Sequence, residues 1–286
     1  MKWQRARRSD NVEDRRRMGG LRGAGGLGLG GIAVVVVIGL LLGKSPGELL
    51  GLVSQLDTQV PGQSQTTPVP GEDPAYEFIA AILGETEDVW TTLFTARGAR
   101  YEPPRLVLFS NYVNSACGGA SAAVGPFYCP GDRQVYIDLI FFREMEAHLG
   151  GGGEFAEAYV IAHEVGHHIQ TLTGVSRQLQ EARGRGEDLA GAEGLLVRQE
   201  LQADCYAGAW AHHAQARHDW LEPGDIEAAL NTASAIGDDR LQRQAQGTVV
   251  PDAFTHGTSA QRVRWFRRGF NGGDPAQCDT FAAGGL

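Results

Sequence analysis

Ala162-His163-Glu164-Val165-Gly166-His167-His168 is the stretch on which the reading of this chain turns. It contains the pattern H-E-x-x-H. On a helix, His163 and His167 stand four residues apart and project from one face. Two imidazoles at that spacing can share one zinc ion, and Glu164 can reach a water at the same site. A metal acidifies such a water and a carboxylate removes its proton, which is the chemistry of peptide hydrolysis. Two surface histidines and a solvated glutamate would give the same letters. The run 158–162 and the residues Val165 and Ile169 instead make the helix largely buried. Buried polar groups need partners, and a metal is one.

A second pattern completes the first. A catalytic zinc site takes three protein ligands and keeps a fourth position open. Glu200-Leu201-Gln202-Ala203-Asp204 has the form E-x-x-x-D, on a helix expected over about 194–217. Glu200 is the candidate third ligand. Asp204, one turn on, is placed to accept from the outer N–H of a ligating histidine. Ala203, Ala207, Gly208, Ala209 and Trp210 mark this helix as tightly packed rather than solvent-facing. The longer pattern H-E-x-x-H-x-x-G-x-x-H is absent, because Gln170 and Thr173 occupy its last two fixed places. His168 is turned about 100° from His167 around the helix, so it reads as a packed histidine. His212, His213 and His218 fall near a helix end, where cations are favoured, and read as surface residues. His256 precedes a helix expected over 259–270. It is placed to donate a hydrogen bond to a developing oxyanion, with Arg262 orienting it or a site carboxylate. A helix-capping segment and a surface arginine is the alternative. The run Arg264-Trp265-Phe266-Arg267-Arg268 fits one face of an amphipathic helix.

Charge and hydropathy divide the chain. Its 286 residues carry a formal net charge of -9. Residues 1–26 hold eight basic and three acidic side chains, so they carry +5 and the remainder -14. An acidic main domain excludes nucleic acid as the expected partner. Residues 27–43 form 17 uncharged residues, the short end of a membrane span. Arginines precede it, and no small-residue cleavage signal follows Leu42. The expected organisation is therefore a basic cytoplasmic tail (1–22), a transmembrane signal anchor (23–43), a flexible Pro-rich linker (44–72) and a main domain (73–286) outside the cytoplasm. Cysteine usage agrees with an oxidising compartment. Cys117, Cys129, Cys205 and Cys278 allow three pairings, with Cys117–Cys129 favoured for its short glycine-rich loop and Cys205–Cys278 then pinning the C-terminus. No C-x-x-C pair makes them zinc ligands.

Within the main domain the pattern predicts helices over 74–83 and 85–94, a strand over 106–109, and a hairpin over 125–138. One strand of that hairpin is expected to edge the active-site cleft and to pair with an extended peptide. A helix over 141–149 precedes the motif helix, which opens at Glu154 and ends at Gly174. Residues 184–194 read as loose and polar.

With these residues in hand, the chain resembles the bacterial neutral zinc metallopeptidase family (YpfJ-like). The resemblance rests on Ser115-Ala116-Cys117-Gly118, the run 125–130, Val135-Tyr136-Ile137-Asp138-Leu139, the run 163–168, the run 199–205, and His256-Gly257-Thr258. It implies an α+β zincin-like domain of gluzincin type, a small sheet over the active-site helix with a mostly helical lower lobe. It implies His163, His167 and Glu200 as ligands of one Zn2+, Glu164 as general base and acid, and Asp204 behind a ligand. His256 and Arg262 resemble an H-P-x-x-x-x-R element in which Gly257 replaces the proline.

The expectation is a membrane-anchored, extracytoplasmic zinc endopeptidase of the bacterial cytoplasmic membrane, acting on a peptide or protein. Two alternatives remain: a zinc-binding envelope interaction protein without catalysis, and a structural envelope protein whose polar cluster satisfies itself without metal.

Overall fold

A computed structural model of the chain describes residues 1–16, 73–121, 125–148, 152–282 and 286. The chain opens with a 3-10 turn, Trp3–Arg5, and strand β1 (Val12–Asp14). Helix α1 (Pro74–Ala96) follows, capped by Asp73, whose side chain accepts from Ala75 N at 3.0 Å, with Pro74 in the first turn. The residues expected to form two helices, 74–83 and 85–94, are this one helix. Gly84 does not break it. A Cβ there would lie 2.5 Å from the carbonyl oxygen of Arg7, so the glycine admits the N-terminal backbone, not a turn.

Strand β2 (Arg105–Phe109) leads into a hairpin the sequence reading missed, β3 (Tyr112–Ser115) and β4 (Gly118–Ser121). Strands β5 (Phe127–Cys129) and β6 (Gln134–Asp138) form the expected hairpin. The main sheet has the order β1-β2-β6-β5, with β1, β2 and β6 parallel and β5 antiparallel at the edge. Alternation buries both its faces. Leu106, Leu108, Val135 and Ile137 join the main core beside Ile79, Ile82 and Ile161. Val107, Phe109 and Tyr136 turn the other way and meet Val113 of the β3–β4 hairpin.

The rest is helical: α2 (Ile140–His148), α3 (Glu154–Thr173), α4 (Val175–Gly184), α5 (Leu195–His218), α6 (Asp225–Ala235), α7 (Asp238–Gln246) and α8 (Ser259–Gly272). The motif helix α3 ends where Gly174 takes a left-handed conformation, φ 90°. Thr258 caps α8 in a reciprocal capping box with Gln261. Both expected disulfides are present. Cys117–Cys129 ties the β3–β4 hairpin to β5, and Cys205–Cys278 ties α5 to the C-terminal turn Pro275–Cys278. The architecture is α+β.

Two expectations are corrected. Residues 1–16 are not a tail apart from the domain. Val12, Glu13 and Asp14 pair with Leu106, Val107 and Leu108, and Met1, Trp3 and Ala6 are buried in the main core. The basic charges read as a cytoplasmic flank are spent on ion pairs: Arg7 with Glu87 (2.7 Å) and Asp88 (2.9 Å), Arg8 with Glu77 (2.8 Å), Arg16 with Asp73 (2.7 Å). The expected transmembrane anchor (23–43) and linker (44–72) lie outside the described residues. Among the described residues no helix is long and apolar enough to cross a membrane. The second correction concerns His212, His213 and His218, which are half-buried. Each holds a partner: Phe270 O (2.7 Å), Gly273 O (2.8 Å) and the buried Glu85 carboxylate (2.7 Å).

Trp3 stands edge-on to Phe78 at 5.4 Å and donates its indole N–H to Glu154 Oε1 at 2.8 Å. Trp3→Ala is expected to cost about 3 kcal/mol, read as a lowered urea midpoint with the slope unchanged.

Candidate metal centre

Helix α3 carries four site residues, three of them on one face. Tyr159, His163 and His167 follow one another at four-residue spacing, and Glu164 stands beside His163. Gly166 sets how near α5 comes. A Cβ there would lie 3.0 Å from Ala203 Cα, and this close approach brings Glu200 up to the histidines. His163 Nε2 lies 3.1 Å from Glu200 Oε2, and His167 Nε2 lies 3.5 Å from Glu200 Oε1. One ligand atom from each of the three residues lies within 4.8 Å of the others. Tetrahedral coordination with bonds near 2.0–2.1 Å separates ligand atoms by about 3.3 Å. The two nitrogen–carboxylate separations match that spacing, so the donor set fits a metal ion.

The outer nitrogens are also held. Asp204 Oδ1 accepts from His163 Nδ1 at 2.8 Å, and Gln170 Oε1 accepts from His167 Nδ1 at 2.9 Å. Each contact leaves Nε2 facing the shared centre. Asp204 is 0% exposed. It receives Arg262 Nε and Nη2, both at 2.9 Å, and the Tyr159 hydroxyl at 2.5 Å. Burial alone would push its carboxyl up. Arg262 and His163 outweigh burial and hold it at about 2. The same contest runs the other way at His163. Burial disfavours its charge, but Asp204 and Glu200 win and raise it to about 10. Glu200, also opposed by burial, is held well below the carboxylate range by His167 and His163.

The three ligand candidates and Glu164 line one cleft of about 480 Å³ with Phe127, Tyr128, Phe141, Val160, Ile236, Leu241 and His256. Glu164 is 7% exposed. No hydrogen bond to a described residue ties its carboxylate, which leaves both oxygens available to a water or substrate. His256 borders the same cleft. Asp238 at the start of α7 accepts from the backbone N–H groups of Thr255 (2.7 Å), His256 (2.6 Å) and Gly257 (3.0 Å), and from His256 Nδ1 (3.3 Å). This contact raises the His256 imidazole, against burial. The structure therefore gathers His163, His167, Glu164, Glu200, Asp204 and His256 at one place. Arg262 orients the carboxylate of Asp204 and not His256. His168 packs apart from the centre, bonded to Glu102 O (2.6 Å) and Tyr128 Oη (3.1 Å), and burial lowers it to about 4.

Three residues escaped the sequence reading. Tyr159 and Gln170 carried a signal, since they stand four before His163 and three after His167 on the motif face. Asp238 carried none, because its contact with His256 depends on how α7 packs before the 255–258 turn.

The family described as Putative neutral zinc metallopeptidase matches residues 1–281, a span that includes β1. The uncharacterised protein YpfJ of Escherichia coli (strain K12) is 49% identical, covering 98% of this chain and 99% of its own length. The uncharacterised protein Rv2575 of Mycobacterium tuberculosis (strain ATCC 25618 / H37Rv) is 44% identical, covering 86% of each chain. No solved structure matches.

Asp204→Asn keeps the shape but removes the charge that Arg262 and His163 face. It is expected to weaken zinc binding by 10- to 100-fold, on the order found for such outer partners, as read by competition with a chelating dye. Metal must displace the proton that His163 carries below about pH 10. Zinc affinity in the wild type should therefore rise about tenfold per pH unit across pH 6–8 for one displaced proton. Calorimetry in buffers of different ionisation enthalpy would read that proton directly.

Proposed function

We propose a function from one premise: the chain belongs to the Putative neutral zinc metallopeptidase family. It is a zinc-dependent endopeptidase that hydrolyses peptide bonds outside the cytoplasm. The observation that carries this reading is the convergence of His163 Nε2, His167 Nε2 and the Glu200 carboxylate beside an untied Glu164 in a cleft. Two histidines and one glutamate are the donor set of zinc peptidase sites that keep a position open. Zinc held there supplies Lewis acidity, polarising a scissile carbonyl and acidifying a water.

The chain's own groups do the rest. Glu164 takes the proton of the attacking water and returns it to the leaving amine. Its carboxylate is suited to both steps because no hydrogen bond from a described residue holds it in place. His256, its Nδ1 directed to Asp238, turns its other ring nitrogen to the cleft and donates to the oxygen on which charge develops. Asp204 fixes the tautomer of His163, and Gln170 fixes that of His167. Tyr159 and Arg262 keep Asp204 charged. The cleft walls are aromatic and aliphatic, and β5 is a sheet edge at its rim with Phe127 and Tyr128 lining it. An extended peptide pairs its backbone with that edge and seats apolar side chains against Phe127, Phe141, Ile236 and Leu241. The two disulfides support an oxidising compartment.

The test uses the full chain purified under oxidising conditions and loaded with zinc. Peptide libraries are read by mass spectrometry for new termini. Wild type is expected to cleave between apolar residues, and Glu164→Gln to lose about 10³ in rate with its zinc retained. Equal cleavage by the variant, or none by zinc-loaded wild type, overturns the reading.

A further inference from the structure

His168 directly follows the ligand candidate His167, and the chemistry of the centre leaves it without a task. It is 1% exposed. Its Nε2 lies 2.6 Å from the carbonyl oxygen of Glu102, which only accepts, so Nε2 carries the proton. In the neutral ring Nδ1 then accepts, and the Tyr128 hydroxyl donates to it at 3.1 Å. Tyr101 and Tyr128 stand edge-on to the imidazole at 6.0 and 5.5 Å. A phenylalanine would fill the same space between those rings. What the imidazole adds is two directed bonds from the motif helix, one to the loop before β2 and one to β5. The loop end is stiff, because Glu102 precedes Pro103-Pro104.

Strand β5 is three residues long and pairs with β6 alone, which leaves its other edge free. Its side chains alternate. Phe127 and Cys129 turn to the face of Tyr136, and Phe127 stacks on that ring at 4.8 Å. Tyr128 turns the other way and packs on the main core. Its hydroxyl reaches α3 at His168, beside Thr171. Phe127 and Tyr128 line the same cleft as His163, His167 and Glu200. His167 and His168 are consecutive on one helix, so this bond sets the distance from the free edge to a ligand nitrogen. That distance matters for a peptide laid along the edge. A slip of one residue moves each carbonyl by about 3.3 Å and turns every side chain over. A misplacement of only about 1 Å costs on the order of 10² in rate.

We propose that His168 is a positioning residue for the substrate. Through Tyr128 it holds the free edge of β5 in register with the metal centre, so that an extended peptide paired to that edge presents one carbonyl there. The ligand class is an extended peptide backbone, met by the main-chain groups of β5. The proposal rests on the endopeptidase reading above and adds to it the group that sets register. The doublet His167-His168 then has two tasks. The first histidine turns to the centre, and the second, about 100° round the helix, turns to the strand.

The test uses the full chain, oxidised and zinc-loaded, and reads binding by calorimetry rather than turnover. The probes are acetohydroxamate, which needs only the metal, and two peptide hydroxamates carrying four alanine and leucine residues on one side or the other of the same zinc-binding group. At least one peptide hydroxamate should bind wild type more tightly than acetohydroxamate. In Tyr128→Phe and in His168→Phe, compared at equal zinc content, that advantage should fall about tenfold, the size of one buried hydrogen bond. The double variant should lose no more than His168→Phe alone, since both changes remove the same bond. A purely structural role would lower the urea midpoint and leave the advantage intact. An unchanged advantage in Tyr128→Phe, or losses that add in the double variant, overturns the proposal and leaves the peptidase reading standing. So does a wild type that binds neither peptide hydroxamate better than acetohydroxamate. Acetohydroxamate that fails to bind zinc-loaded wild type removes the open metal site, and with it both readings.

Discussion

A buried carboxylate, Asp204, is the interaction on which the remainder leans. It has no solvent contact, and four donors from two other helices converge on it from its place on α5: Arg262 twice from α8, Tyr159 and His163 from α3. Taking a carboxylate and a guanidinium out of water costs several kcal/mol each before pairing offsets it. Such a pair survives only where the carboxylate is well supplied with donors, and here both oxygens of Asp204 accept, Oδ1 from three groups and Oδ2 from Arg262 Nε. The geometry therefore fixes α3, α5 and α8 relative to one another. The same contact decides which nitrogen of His163 is free, so the packing of the helical half and the chemistry of the centre are set by one group.

A second buried carboxylate works in the same way on the other side of the core. Glu87 on α1 collects Arg7, Ser9 and Asn11. That contact, with the parallel ladder to β2, turns a basic N-terminus into a structural strand. The sheet in turn supports β5, the edge beside the cleft. Small residues make both arrangements possible. Gly84 admits the N-terminal backbone to α1, and Gly166 admits α5 to α3. Neither glycine marks a break in its helix. Each marks a place where another element comes within reach.

His256 illustrates how function and packing divide. Its position in a short turn before α8 is fixed by Asp238, which collects three successive backbone N–H groups as well as the ring. The replacement of proline by Gly257 in the resembled element is intelligible in these terms. Gly257 has φ 86°, which proline cannot adopt, and its N–H is one of the three that Asp238 accepts, which proline would lack.

The sequence by itself determined what is periodic or covalent. The four-residue spacing of His163 and His167 put them on one face, E-x-x-x-D supplied Glu200 and Asp204, alternation in 134–138 marked β6, and the cysteine spacing suggested the pairing. Each of these is a local rule, since helix and strand geometry act over a few residues. Tertiary structure alone decided the rest. It joined 74–83 and 85–94 into one helix, assigned Arg262 to Asp204, placed Asp238 behind His256 and drew residues 1–16 into the sheet. The reading of those residues as a free basic tail failed because a positive charge looks the same in sequence whether it faces a lipid headgroup or a buried glutamate. Only the fold brings Glu77, Glu87 and Asp88 to the arginines that precede them by about seventy to eighty positions, and no local periodicity reaches that far.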